Sequence, residues 1–91
     1  MSKAAPYNVA LSQRAARFFE NAQEVLQRKL DRCFDQLKGD PRRHPNVKAL
    51  SGRYAGYFRY RVGDYRVIYS IDERSRAVYI VVIAHRRDVY E

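Results

Sequence analysis

The chain has 91 residues, 46% of them hydrophobic, which suffices for one compact core, so a single domain over residues 1–91 is expected. Eighteen Lys and Arg against ten Asp and Glu give a net charge of +8, a field that gathers polyanions and points to nucleic acid or an acidic protein as partner. The longest apolar run, Ala77 to Ala84, is eight residues, far short of a bilayer span, and a single cysteine excludes an internal disulfide and a multi-thiolate metal site.

Met1 to Pro6 holds one Lys and no apolar stretch of signal-peptide length, so the expected compartment is the cytoplasm. Tyr7, Val9 and Leu11 then alternate with polar or small residues, the pattern of a short strand. Ser12 suits an N-cap, and Ala15, Ala16, Phe18 and Phe19 give a short helix. From Asn21 to Lys38 the apolar residues Ala22, Leu26, Leu30, Cys33, Phe34 and Leu37 recur at spacings of three and four, which predicts an amphipathic helix closed by Gly39-Asp40-Pro41. Cys33 lies on its apolar stripe and reads as a packing residue rather than a reactive thiol. Arg42 to Lys48 is a basic segment interrupted by Pro45, expected as a surface connection with His44 exposed on it.

After Leu50-Ser51-Gly52 the period changes to two. Tyr57 to Val62 and Tyr65 to Ile71 flank Gly63-Asp64, which predicts a tight hairpin with positive φ at its first turn residue. Ala77 to His85 supplies a further strand, whose continuous Val-Tyr-Ile-Val-Val-Ile run suggests burial on both faces. Strand, two helices and a three-strand meander make an α+β fold in which the helical pair covers one sheet face.

Alternation places Phe58, Tyr60 and Val62 toward the helices and Tyr57, Arg59 and Arg61 on the opposite face. Arg66 follows the hairpin turn, and Arg86 and Arg87 end the last strand, so several guanidinium groups converge near one end of the sheet. Such a cluster repels itself when empty and binds phosphate well; the competing reading is an ordinary solvated strand face. Eight tyrosines, seven of them from Tyr54 onward, add rings on which unpaired bases could stack. Tyr60 and Tyr69 belong to the helix side, leaving Tyr57 and Tyr90 as stacking candidates. No Gly-rich phosphate loop, metal-ligand pair or Ser-centred nucleophile motif is present, so no cofactor or metal is implied.

The blocks Leu50-Ser51-Gly52, Tyr57-Phe58-Arg59-Tyr60-Arg61-Val62-Gly63-Asp64-Tyr65-Arg66-Val67-Ile68-Tyr69 and His85-Arg86-Arg87-Asp88-Val89-Tyr90 resemble the RelE/ParE toxin superfamily over nearly the whole chain. The resemblance implies a fold like that of small microbial ribonucleases and metal-independent cleavage of mRNA in the ribosomal A site. It also implies neutralisation by an acidic antitoxin, with operator DNA bound only through the antitoxin complex. Carried over by position, the catalytic set becomes Arg59, Arg61, Arg66, His85, Arg86 and Tyr90, with Tyr57, Arg87, Lys48 and Arg53 as RNA-binding residues. In that scheme Arg61 and Arg66 hold the phosphate, Arg86 or His85 supports the leaving oxygen, and Tyr90 or Tyr57 stacks on a base. Because imidazole as a side-chain type exchanges protons near neutral pH, His85 is chemically a better acid–base candidate than any Arg. Lys, frequent in relatives on the first of these strands, is replaced here by Tyr57 and Arg59, and the nearest acid, Asp64, is a turn residue that does not support a Glu-type base. The same blocks occur in ParE-like inhibitors of DNA gyrase, and a catalytically dead subunit that binds only antitoxin or operator is a third alternative.

Overall fold

The computed structural model describes residues 6–88. The chain runs through β1 (Asn8–Leu11), α1 (Gln13–Asn21), α2 (Glu24–Gly39), β2 (Val47–Ala49), a 3-10 turn at Gly52–Tyr54, β3 (Phe58–Val62), β4 (Tyr65–Asp72), β5 (Ala77–His85) and a closing 3-10 turn at Arg86–Asp88. The strands form one mixed sheet in the order β1-β5-β4-β3-β2, with β1 parallel to β5 and the other pairs antiparallel. This is the expected α+β class, two helices on one face of a sheet, with two corrections to the strands.

The first correction is β2. The basic connection expected to be a surface loop contains a three-residue edge strand, paired Val47 to Tyr60, Lys48 to Arg59 and Ala49 to Phe58. It is short, its two apolar residues are Val47 and Ala49, and it follows a Pro45 turn closed by the Val47 N–H donating to the His44 carbonyl at 2.9 Å. The second concerns β5. Its apolar run does not mean burial on both faces, because Tyr79 stands 47% exposed. Instead, the ladder shifts between Ile68, paired with Val82, and Tyr69, paired with Ile80, so Val81 is an extra residue in a bulge. A bulge restarts the alternation. Val78 and Ile80 point inward before it and Ile83 after it, all buried, and the continuous run is two short alternating patterns joined out of phase.

Ser12 caps α1 as expected, its hydroxyl accepting from the Ala15 N–H at 3.0 Å, and it also donates to the Val81 carbonyl in the bulge at 2.7 Å. The second helix begins at Glu24, later than Asn21, because Ala22 and Gln23 are both extended. Gln27 braces that corner through its side-chain N–H to the Phe19 carbonyl at 2.7 Å. The core lies between Leu30, Cys33, Phe34 and Leu37 of α2, Ala15 of α1, and the inward strand residues Tyr60, Val62, Val67, Tyr69, Val78, Ile80 and Ile83. Tyr69 satisfies its buried hydroxyl on the Pro41 carbonyl at 2.6 Å. Burial pushes the Cys33 thiol up to about 12, so at neutral pH it is a protonated packing residue.

A candidate active site on the open face of the sheet

Both helices pack on one face, which leaves the other face of β2–β4 to present its alternate side chains outward. The hairpin fixes which ones. Gly63 adopts φ +57°, supplying the positive value that the two-residue turn needs. Val62 then pairs with Tyr65, Arg61 with Arg66, and Arg59 with Ile68. Directly opposed residues share a face, with Cα atoms about 5 Å apart, so Arg61 and Arg66 stand side by side one pair beyond the turn. The next outward row is Lys48, Arg59, Ile68 and Val82, read across four strands. Arg61 makes no ion pair among the described residues, and Asp72, at the far end of β4, is the one carboxylate at an outward strand position there.

Arg86 comes to the same end of the sheet by the closing turn. Its backbone N–H donates to the Asp64 carbonyl at 2.7 Å, and its Nε lies 3.9 Å from Asp64 Oδ1, so the hairpin turn holds it beside the arginine pair. Asp64 is thus a turn residue that places a cation. Tyr57, immediately before β3, is 37% exposed at an outward position. Lys48, Arg53 and Arg87 are also exposed, Arg53 on the 3-10 turn that leads to β3.

His85 is not brought to this cluster. It pairs with Tyr65, opposite Val62, and so faces the helix side, its ring edge-on to Tyr65 at 5.3 Å; Tyr65 in turn meets Phe18 of α1 at 5.8 Å. Its Nδ1 accepts from the Arg87 backbone N–H and from Arg87 Nε, each at 3.3 Å. The register therefore puts His85 on the opposite face of the sheet from Arg61 and Arg66. The bulge at Val81 sets this face, since it reverses the phase of every β5 residue after it. Tyr90 lies outside the described residues.

Two features escaped the sequence reading. From Pro41 to Gly63 the chain carries Arg42, Arg43, Lys48, Arg53, Arg59 and Arg61 and not one Asp or Glu, a charge asymmetry visible in the sequence that marks the β2–β3 edge as the cationic side. Tyr79, on β5 beside Ser70, is a second exposed ring on the open face, hidden in the sequence by the apolar run around it.

The model of the ParE toxin of the type II toxin–antitoxin system parDE matches residues 9–90. The chain belongs to the RelE/ParE toxin superfamily. Among relatives of this RelE/ParE chain, the toxin RelE of Mycobacterium tuberculosis is 35% identical over 91 residues, covering 99% of this chain and 92% of that protein. The toxin RelG of the same organism is 33% identical over 86 residues, covering 93% and 97%. The crystal structure of the toxin–antitoxin complex RelBE2 from Mycobacterium tuberculosis superposes with a TM-score of 0.77 at 28% identity, covering 89% of this RelE/ParE chain and 99% of that one. The relatives thus bear RelE-type names although the family model bears the ParE name, and the fold is common to both. Among the described residues of this toxin no helix is long and apolar enough to cross a membrane.

Proposed function

We propose that this chain is the toxin of a type II toxin–antitoxin pair and a ribosome-dependent mRNA endoribonuclease that arrests translation. The observation that carries this is the opposed pair Arg61 and Arg66 on an open sheet face, with Arg59 and Lys48 in the adjoining row and Arg86 held at the same end. A protein that docks on another protein has no chemical need for so many fixed cations in one place. A reaction that gathers negative charge on a phosphate does.

The 2′-hydroxyl of a ribose releases its proton to solvent water and attacks the adjacent phosphorus; the O2′–P bond forms as the P–O5′ bond breaks, and the departing O5′ takes a proton from water, leaving a 2′,3′-cyclic phosphate and a 5′-hydroxyl. Charge builds on the equatorial phosphoryl oxygens and on the departing O5′. Arg61 and Arg66 bind the former, bidentately where the geometry allows, and Arg86 supports the latter. Arg59 and Lys48 extend the track along the backbone, with Arg53 and Arg87 at its margins. Tyr57 offers a ring for a base to stack on, and Tyr90 is proposed for the same role. Guanidinium keeps its proton throughout the physiological range and is a poor base, so the cluster acts by preorganised electrostatics. The partners that follow are mRNA in the ribosomal A site and an acidic antitoxin that covers the same cations, with operator DNA reached only through that complex. A substrate on the ribosome supports the cytoplasm as its compartment.

The test is primer extension on mRNA in a reconstituted translation system, with and without ribosomes, comparing wild type with Arg66→Ala. Ribosome-dependent cleavage reduced about 10²-fold in the variant is expected for loss of one preorganised donor. Cleavage at the wild-type rate would remove Arg66 from the site. Intact mRNA together with inhibited gyrase supercoiling would transfer the chain to the ParE-type activity.

A further inference from the structure

The turn before β2 contains an ordered network that the phosphate chemistry does not use directly. His44 stacks on Tyr60 with ring centroids 5.0 Å apart and planes 26° from parallel, and its Nε2 lies 3.5 Å from the Tyr60 hydroxyl. Its Nδ1 accepts the backbone N–H of Asn46 at 3.0 Å. The Asn46 carbonyl receives two donors at once: the Arg61 backbone N–H at 3.0 Å and the Arg59 guanidinium Nη1 at 3.3 Å. Tyr60 is buried and sits between those two arginines in sequence, on the opposite face of β3. One imidazole on the core side of the strand is thus linked through a single residue, Asn46, to both β3 arginines on the open side.

We propose that His44 is a positioning residue for the arginine cluster. By accepting the Asn46 N–H and stacking on Tyr60, it fixes the Asn46 carbonyl that orients the Arg59 guanidinium and anchors the backbone at Arg61. The proposal rests on the interferase reading for its catalytic consequence, but its geometric content stands apart from it. An Nδ1 that accepts leaves the ring proton on Nε2, directed at the Tyr60 oxygen, so both ring nitrogens are used. The turn His44-Pro45-Asn46-Val47 supplies the remaining constraint, since Pro45 fixes φ and the Val47 N–H closes on the His44 carbonyl. A guanidinium displaced by about 1 Å is enough to lower a positioning-dependent rate by up to 10²-fold.

Two variants separate positioning from packing. His44→Ala removes the ring and the acceptor. His44→Asn also removes the ring, but its side-chain oxygen can accept the N–H two residues ahead, as Asn does in an Asx turn. Cleavage of ribosome-bound mRNA under saturating conditions is expected to fall about tenfold or more in His44→Ala, with KM little changed, and to recover most of that loss in His44→Asn. Both variants should lose similar thermal stability. In parallel, the ¹H–¹⁵N guanidinium signals of Arg59 should exchange rapidly in His44→Ala and remain resolved in wild type and His44→Asn. Equal impairment of the two variants, wild-type cleavage in His44→Ala, or unchanged Arg59 signals in His44→Ala would each overturn the proposal. A wild-type chain that leaves mRNA intact would count against the interferase reading instead, and the Arg59 signals would still decide the positioning.

Discussion

Like charges placed directly opposite one another on adjacent strands destabilise a sheet by roughly 0.2–1 kcal/mol, and Arg61 and Arg66 are so placed. Neutralising Arg61 should therefore separate stability from activity. In Arg61→Gln the unfolding free energy from urea titration is expected to stay level or rise, by no more than about 1 kcal/mol, while mRNA cleavage by primer extension drops about 10²-fold. A variant that lost both would make Arg61 a structural residue. The positions of Arg59, Arg61 and Arg66 were legible from alternation alone, because a two-residue turn leaves one register and one set of outward residues. His85 was not. Its chemistry recommended it, but one bulged residue four positions earlier decides which face it occupies, and nothing in Ile80-Val81-Val82-Ile83 distinguishes the inserted residue by type.

At the scale of elements, the first strand, both helices and the hairpin announce themselves through periodicity and end chemistry. The edge strand β2 does not, being three residues too short to show a period, with most of its definition borrowed from β3. Ser12 joins two elements, capping α1 through the Ala15 N–H and holding the β5 bulge through the Val81 carbonyl. Loss of an N-cap alone costs about 1 kcal/mol, and loss of the second hydrogen bond adds about as much. Ser12→Ala should accordingly lower unfolding free energy by about 2 kcal/mol in urea titration, with Ser12→Thr retaining most of it. A loss confined to the cap value would mean that the bulge holds its register without Ser12.

Across the whole molecule, the end away from the arginine cluster is tied by ionic contacts. Glu73, in the β4–β5 turn, bonds Arg42 of the α2–β2 connection and accepts the Tyr7 hydroxyl at 3.0 Å, while Arg76 lies over the Tyr7 ring at 4.0 Å. The Arg42 hydrogen bond, then the Tyr7 hydroxyl, hold the Glu73 carboxyl below its ordinary value of 4.5, and the backbone N–H groups of Arg42 and Arg43 act likewise on Asp40. A carboxyl lowered in the folded state stabilises fully above its unfolded pKa and ceases to as pH falls through the folded one. The urea midpoint should thus decline as pH drops below about 4.5, and less steeply in Glu73→Gln than in wild type. Parallel declines would remove Glu73 from the acid response.

The parallel pairing of β1 with β5 has a temporal consequence. Among the described residues, β1 has as its one sheet neighbour β5, the last of the five strands in chain order. Until Ala77–His85 has been synthesised, β1 lacks a ladder, α1 lacks the strand it packs on, and β4 remains an unpaired edge. Closing a contact across nearly the whole chain is slow relative to local pairing. The cationic face therefore acquires its rigid support only after β5 has been made, and the surface proposed to hold RNA is assembled later than the strands that carry its arginines.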